Sequence, residues 1–330
     1  MTLVRRKEIG GRRKEKGVRA LLFLSLFLLP PSFFLPTDFP SSFLLSGSQE
    51  SRPLPVPEVL YRAVQENLAR AERVAHLYAF KERRTDVHTN PFGRIGTGGA
   101  RVFDVYPSAA RQLTYRRLIE RNGVALGAQE LAEQDRQYRA RAADVQRRLV
   151  AENPDEGQRR EADLARARQR GQRRVDAVVD TLRFRLEGRT VYEGVPAIVV
   201  SFTPRPDARP DTREGRTAQK FAGTVWIHEA ASEVMRVEAR SIDDISFGFG
   251  FVARLGKGTA ATLTRQPVEG DLWMPTQLTL KGRGRAAVVR TLVIDFAVDW
   301  FDYRRLERDQ AHPFLLPRNT EPTSHRGPPN

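Results

Sequence analysis

Between residues 182 and 303 apolar and polar positions alternate in short runs broken by Gly and Pro, which predicts an antiparallel sheet with one apolar face. In the run 288–301, one parity holds Val288, Arg290, Leu292, Ile294, Phe296, Val298 and Trp300, and the other mixes Val289, Thr291 and Val293 with Asp295 and Asp299. Successive side chains of a strand point to opposite faces, so the first set makes an almost wholly apolar face. Similar runs cover 183–189, 197–203, 223–228, 233–241, 247–255, 259–265 and 276–281. Turn-forming groups separate them at 193–194, 229–232, 256–258, 269–271 and 282–284. Connections this short leave no room for a parallel crossover, so sequential strands pair as hairpins in a meander.

Upstream, the period changes. Leu60, Val64, Leu68, Ala71 and Ala75 recur at spacings of three or four, which predicts a helix over 58–76 whose apolar face packs on the sheet, with Pro57 suited to its first turn. Further strands are expected over 78–87, 99–106 and 111–122. From 128 to 181 large apolar side chains almost vanish, and twelve Arg alternate with nine acidic residues between Glu133 and Asp176. Asn153-Pro154 and Gly157 divide this stretch into two charged helices, 128–151 and 158–181. A helix polar nearly all round is not deeply buried, so the pair reads as a solvated excursion. The alternative is a movable lid or docking arm, gripped by Leu149, Val150, Val175, Val178, Val179 and Leu182. The expected fold class is α+β: a curved antiparallel sheet covered by an N-terminal helix and carrying a charged two-helix insertion at 128–181.

The two ends of the sequence read differently from this domain at 58–310. Eight Lys or Arg stand in residues 1–19, followed by an apolar run over 20–29 and then Pro30-Pro31. That is the layout of a secretory signal peptide, and the Pro pair cuts the run short of the ~20 residues a membrane helix needs. Ser46-Gly-Ser48 supplies small residues for cleavage, so 1–48 is read as a signal peptide. An uncleaved inner-membrane anchor over 20–45 is the alternative. The expected location is the periplasm. Residues 49–57 are a Pro-rich linker, and the Pro-rich tail 311–330 reads as disordered.

Composition narrows the partners. Cysteine is absent, so an exported chain of this size relies on its core rather than on disulfides. The formal charge of +15 includes eight basic and three acidic residues of 1–48, so most of the excess belongs to the domain. No nucleic-acid motif accompanies it, and nucleic acid is not an expected partner, whereas contact with a membrane surface remains open. The five histidines have no metal-site spacing, and 250–258 lacks the spacing and the final Ser or Thr of a phosphate loop. Asp243-Asp244 has no partner acid, and no nucleophile elbow occurs. No catalytic residue, metal or cofactor is expected; the rival reading is a hydrolase using Asp243 or His228.

Three segments carry a resemblance: 191–206 (Val-Tyr-Glu-Gly-Val-Pro-Ala-Ile-Val-Val-Ser-Phe-Thr-Pro-Arg-Pro), 221–228 (Phe-Ala-Gly-Thr-Val-Trp-Ile-His) and 234–238 (Val-Met-Arg-Val-Glu). Over roughly 59–306 the chain resembles bacterial outer-membrane lipoprotein-sorting proteins of the periplasmic carrier type, in a divergent branch. His228 stands where that pattern has Asp, which puts the geometry of the following turn in question. The resemblance implies an incomplete β-barrel wrapped around a helix, with an apolar cavity that accepts the acyl chain of a lipid or lipoprotein. Trp226, Phe249, Phe251, Leu278, Leu280, Leu292, Ile294 and Phe296 are the candidate lining residues. An open tunnel would favour a carrier. A face filled by Leu60, Val64 and Leu68 would favour a structural or sensing role through a protein partner.

Overall fold

The structure is a computed structural model, and it describes residues 53–90, 93–95, 99–108, 113–151, 153–247, 253–286 and 290–306. The signal segment 1–48, the tail 311–330 and the candidates Phe249 and Phe251 lie outside the described residues. Helix α1 (Pro57–Val74) ends in a 3-10 turn (Ala75–Leu77) and leads to β1 (Tyr78–Asn90), β2 (Gly93–Ile95), β3 (Ala100–Tyr106), β4 (Tyr115–Arg121) and β5 (Val124–Ala125). Helices α2 (Ala128–Ala151) and α3 (Pro154–Thr181) follow. The meander then runs through β6 (Leu182–Tyr192), β7 (Val195–Pro204), the short helix α4 (Arg213–Ala218), β8 (Phe221–His228) and β9 (Glu233–Ser241). It closes with β10 (Ile245–Phe247), β11 (Ala253–Leu255), β12 (Ala260–Glu269), β13 (Leu272–Ala286) and β14 (Arg290–Arg305).

The strands hydrogen-bond in the order β5-β4-β3-β1-β14-β13-β12-β9-β8-β7-β6, with β2, β10 and β11 as side branches. All registered pairs are antiparallel. β5 and β6 end that order, so the sheet is open: an α+β fold whose antiparallel sheet is what the alternation predicts and whose incomplete barrel is what the resemblance implies. The described residues divide into two compact units, one drawn from 1–67, 86–98 and 167–298 and the other from 68–85, 99–166 and 299–330. No helix among the described residues is long and apolar enough to cross a membrane.

Two elements differ from the sequence expectation, and a third was not foreseen. The second charged helix starts at Pro154 rather than at 158, because Pro fits the first turn of a helix and has no N–H to lose there. The expected strand 247–255 is two short strands, β10 and β11, paired to each other. Helix α4, which the periodicity does not announce, is only six residues long and is capped by Thr212, whose hydroxyl accepts from the Gly215 N–H at 3.0 Å.

In the second unit the charged helix α2 is seated, not solvated all round. The Tyr115 hydroxyl donates to Asp135 Oδ1 at 2.7 Å, and Arg117 grips the same carboxylate through Nε at 3.0 Å and Nη2 at 2.9 Å. Tyr115 stacks on Tyr138 at 4.2 Å between ring centroids, and the Tyr138 hydroxyl donates to the Leu113 carbonyl. Gln134 accepts from the Leu118 N–H and donates to the Leu118 carbonyl, so its amide pairs with β4 as a neighbouring strand would. Burial raises the pKa of the Tyr115 hydroxyl well above its ordinary value, and the adjacent Asp135 carboxylate raises it further. The middle of α2 holds it, through Gln134, Asp135, Tyr138 and Ala142, while the side chains of Leu149 and Val150 lie outside the described residues.

Candidate functional site

The registers of the first unit carry two apolar rows across six strands. One reads Phe184, Phe202, Gly223, Ala239, Ala261, Leu280, and the next reads Leu186, Val200, Val225, Val237, Leu263, Leu278. Residues paired across antiparallel strands share a face, so these rows are one continuous surface. Gly223 is small for a reason: a Cβ there would meet Phe202 Cζ at 2.7 Å and the Glu238 carbonyl at 2.0 Å. The phenylalanine ring therefore lies over the glycine, as only Gly permits.

Different elements cover the two parts of this face. Toward one part, Val178 of α3, Ala218 of α4, Phe221, Ile245 and Leu255 cluster with Phe202, Ala239 and Ala261, and Ile294 packs against them. Toward the other, Leu60 of α1 is buried to 3% exposure against Ile198, Val200 and Ile227. Tyr61 and Val64 pack beside it, with the Tyr61 and Phe184 rings 5.9 Å apart. Leu60 and Val64 thus fill this part of the face, as a covering helix should. Leu68, expected with them, is half-buried and belongs to the second unit.

Polar ties fix α1 at its edges. Asn67 Nδ2 donates to the carbonyls of Ala231 at 2.9 Å and Ser232 at 3.1 Å, in the turn between β8 and β9. That turn is built on His228, whose Nδ1 accepts from the Ala231 N–H at 3.1 Å while its carbonyl accepts from the Ser232 N–H at 2.9 Å. An Asp would accept the same N–H, so His228 preserves the turn by another side chain. At the other end of the helix, Arg189 pairs with Glu229 at 2.7 Å and donates from Nη2 to the Pro53 carbonyl at 2.8 Å. Asn67 and Arg189 escaped the sequence reading; the usable signal was a polar Asn67 falling within the apolar stripe of α1.

The candidate lining residues divide. Leu278 and Leu280 are buried on the apolar face, and Ile294 packs against it. Phe296, half-buried, shares the parity of Ile294 along β14. Leu292 lies in the same strand, and its side chain is outside the described residues, like Phe249 and Phe251. Trp226 does not join them: it pairs with Val199 and Arg236 on the opposite face and stacks near Tyr192, ring centroids 5.9 Å apart. Val225 and Ile227 take the apolar parity of β8, so Trp226 between them must point the other way.

Beyond a bulge in each of the β8/β9 and β12/β13 ladders, the sheet buries an ion pair. Arg265 Nη1 meets Glu233 Oε2 at 2.9 Å, and its Nη2 donates to the Trp273 carbonyl at 2.7 Å. The paired acids Asp243 and Asp244 are held apart by separate cations, Lys220 on the first and Arg254 on the second at 2.7 Å. Lys220 holds the Asp243 carboxyl below its ordinary pKa, with help from the Asp244 N–H. A general acid needs the reverse shift.

The chain matches no known protein family, and no curated protein matches it. Among solved structures it is similar to an outer membrane lipoprotein-sorting protein domain from Vibrio parahaemolyticus, at 11% identity and a TM-score of 0.30, covering 77% of this chain and 94% of that one. A DUF1329 family protein from Desulfovibrio piger matches at 11% identity and a TM-score of 0.28, covering 78% and 96%. MucB, solved in complex with MucA(peri), matches at 10% identity and a TM-score of 0.18, covering 74% and 99%.

Proposed function

We propose that this chain is a non-catalytic periplasmic protein that binds the acyl chain of a lipid or lipoprotein on the apolar face of its first unit, in the place now taken by α1. The observation that carries the reading is the mismatch between a broad apolar face and the small apolar cover that α1 supplies. Leu60 is the one fully buried large side chain among Leu60, Tyr61 and Val64. Full burial of such a side chain is worth about 1.5–3 kcal/mol, whereas an acyl chain gains about 0.8 kcal/mol per buried CH₂. A chain of a dozen methylenes therefore outweighs the helix's apolar hold, and each neutral tie adds only about 1 kcal/mol against displacement. Carriage of such a ligand to the outer membrane would follow from release where the helix returns.

The filled state favours a second reading. With Leu60 and Val64 in place the face is already satisfied, and the same fold then serves as a scaffold for a protein partner. Protein purified from its native host, extracted for lipid and titrated with a fluorescent fatty acid, separates the two. Co-purifying lipid and saturable probe binding support the acyl-chain reading. A ligand-free preparation that ignores the probe contradicts it.

A further inference from the structure

The exposed large aliphatic side chains of this protein are not scattered. Six occur among the described residues, and four of them belong to the start of α1 and the far end of β6: Leu54 at 44% exposure, Val56 at 59%, Val59 at 62% and Val191 at 64%. The two places are joined by Arg189, which donates to the Pro53 carbonyl and lies two residues from Val191, on the same side of β6. Leu54 and Val56 alternate with Pro53, Pro55 and Pro57, which keep this segment extended and its side chains outward. Val59 stands beside the buried Leu60 yet faces solvent. Isolated exposed aliphatics need no explanation, but a cluster beside a ligand-binding face does.

We infer that Leu54, Val56, Val59 and Val191 form the contact by which this protein rests on a lipid bilayer, a step that rests on the acyl-chain reading for its purpose. Two observations favour a bilayer over a protein partner. The patch itself is purely aliphatic, without the Trp or Tyr anchors that concentrate binding energy in protein interfaces, and Arg189 beside it is already held by Glu229. In the alternative where 20–45 is kept as an inner-membrane anchor, it ends at Leu45, nine residues before Leu54, a reach of about 30 Å even fully extended. The nearby charges are mixed, with Glu58, Glu193 and Arg62 all exposed, so attraction to acidic head groups is not what holds the contact. Partition is apolar and persists in salt.

The chain has no cysteine, so one can be placed at will. Full-length Val59→Cys and Val191→Cys, each labelled with a polarity-sensitive dye, are mixed with vesicles of phosphatidylcholine alone or of phosphatidylethanolamine with phosphatidylglycerol. Ile242→Cys, at another exposed aliphatic position, is the control. The expected result is a rise in emission of about two-fold or more at 59 and 191 with both vesicle types, unchanged by added salt, and none at 242. Three results would overturn the inference: no rise at 59 and 191, a rise that tracks protein concentration without vesicles, or a rise confined to anionic vesicles and lost in salt. Fatty-acid binding without vesicles reports separately on the acyl-chain reading, so a silent dye with a bound probe sinks this inference alone.

Discussion

Two of the helices that lie on sheet strands, α1 and α2, are held by opposite chemistry. In the first unit, α1 sits on the apolar rows through Leu60, Tyr61 and Val64, with Asn67 tying it to one turn. In the second unit, α2 is locked onto β4 by Asp135, Tyr115, Arg117 and the amide of Gln134. A hydrophobic seam is non-directional and can exchange one apolar body for another. A seam of charge-assisted hydrogen bonds accepts only its own partners, because any that leaves strands a buried charge. On the proposed acyl-chain reading, the contrast gives exchange to α1 and permanence to α2.

The largest effect should come from the permanent seam. Asp135→Ala leaves Arg117 and the Tyr115 hydroxyl without their acceptor, and breaking a buried pair of this kind costs about 3–5 kcal/mol. Denaturant unfolding should show that loss, while fatty-acid probe affinity per folded molecule stays as in the wild type. Next in size is Leu60→Ala, which removes the buried anchor of α1 and should cost about 2–4 kcal/mol. Here the comparison inverts: probe affinity should rise, since the competitor for the face is weaker. Equal or poorer probe binding by Leu60→Ala would erase the distinction between the seams.

The alkaline limb sharpens the contrast further. Burial and the Asp135 carboxylate raise the Tyr115 pKa, so the folded state favours its protonated hydroxyl. That contribution is fully present below the ordinary value of 10.0 and is lost as pH climbs through and above it. Stability of the wild type should therefore fall above pH about 10, and Tyr115→Phe, which keeps the ring but not the proton, should flatten the decline. The smallest effect belongs to the exposed face of α2. Asp144 pairs with Arg148 one turn on, in water, and Asp144→Ala should change stability by less than about 0.5 kcal/mol.

What was legible in the sequence follows the same division. The apolar rows were written in the alternation of 182–303, because a period of two can mean little else when turns punctuate it so regularly. Helix α1 was legible from Leu60 and Val64 for the matching reason. The seat of α2 was not, because Gln134, Asp135, Tyr138 and Ala142 form a buried stripe made mostly of polar side chains, and a hydrophobicity pattern is blind to such a stripe. Trp226 was misplaced by its size rather than its position: the parity of Val225 and Ile227 already assigned it to the other face. The ties of Asn67 and Arg189 join residues far apart in the chain, 164 positions from Asn67 to Ala231 and 136 from Arg189 to Pro53, and no local spacing announces them.

The central claim, that an acyl chain enters where α1 lies, can be tested by locking that helix. Asn67 Nδ2 meets the Ala231 carbonyl at 2.9 Å, and in this cysteine-free chain Asn67→Cys with Ala231→Cys is oxidised and the single disulfide verified by mass spectrometry before use. Fatty-acid probe affinity is then measured oxidised and reduced on the same sample. The account predicts that oxidation abolishes binding and reduction restores it. Equal binding in both states would contradict it.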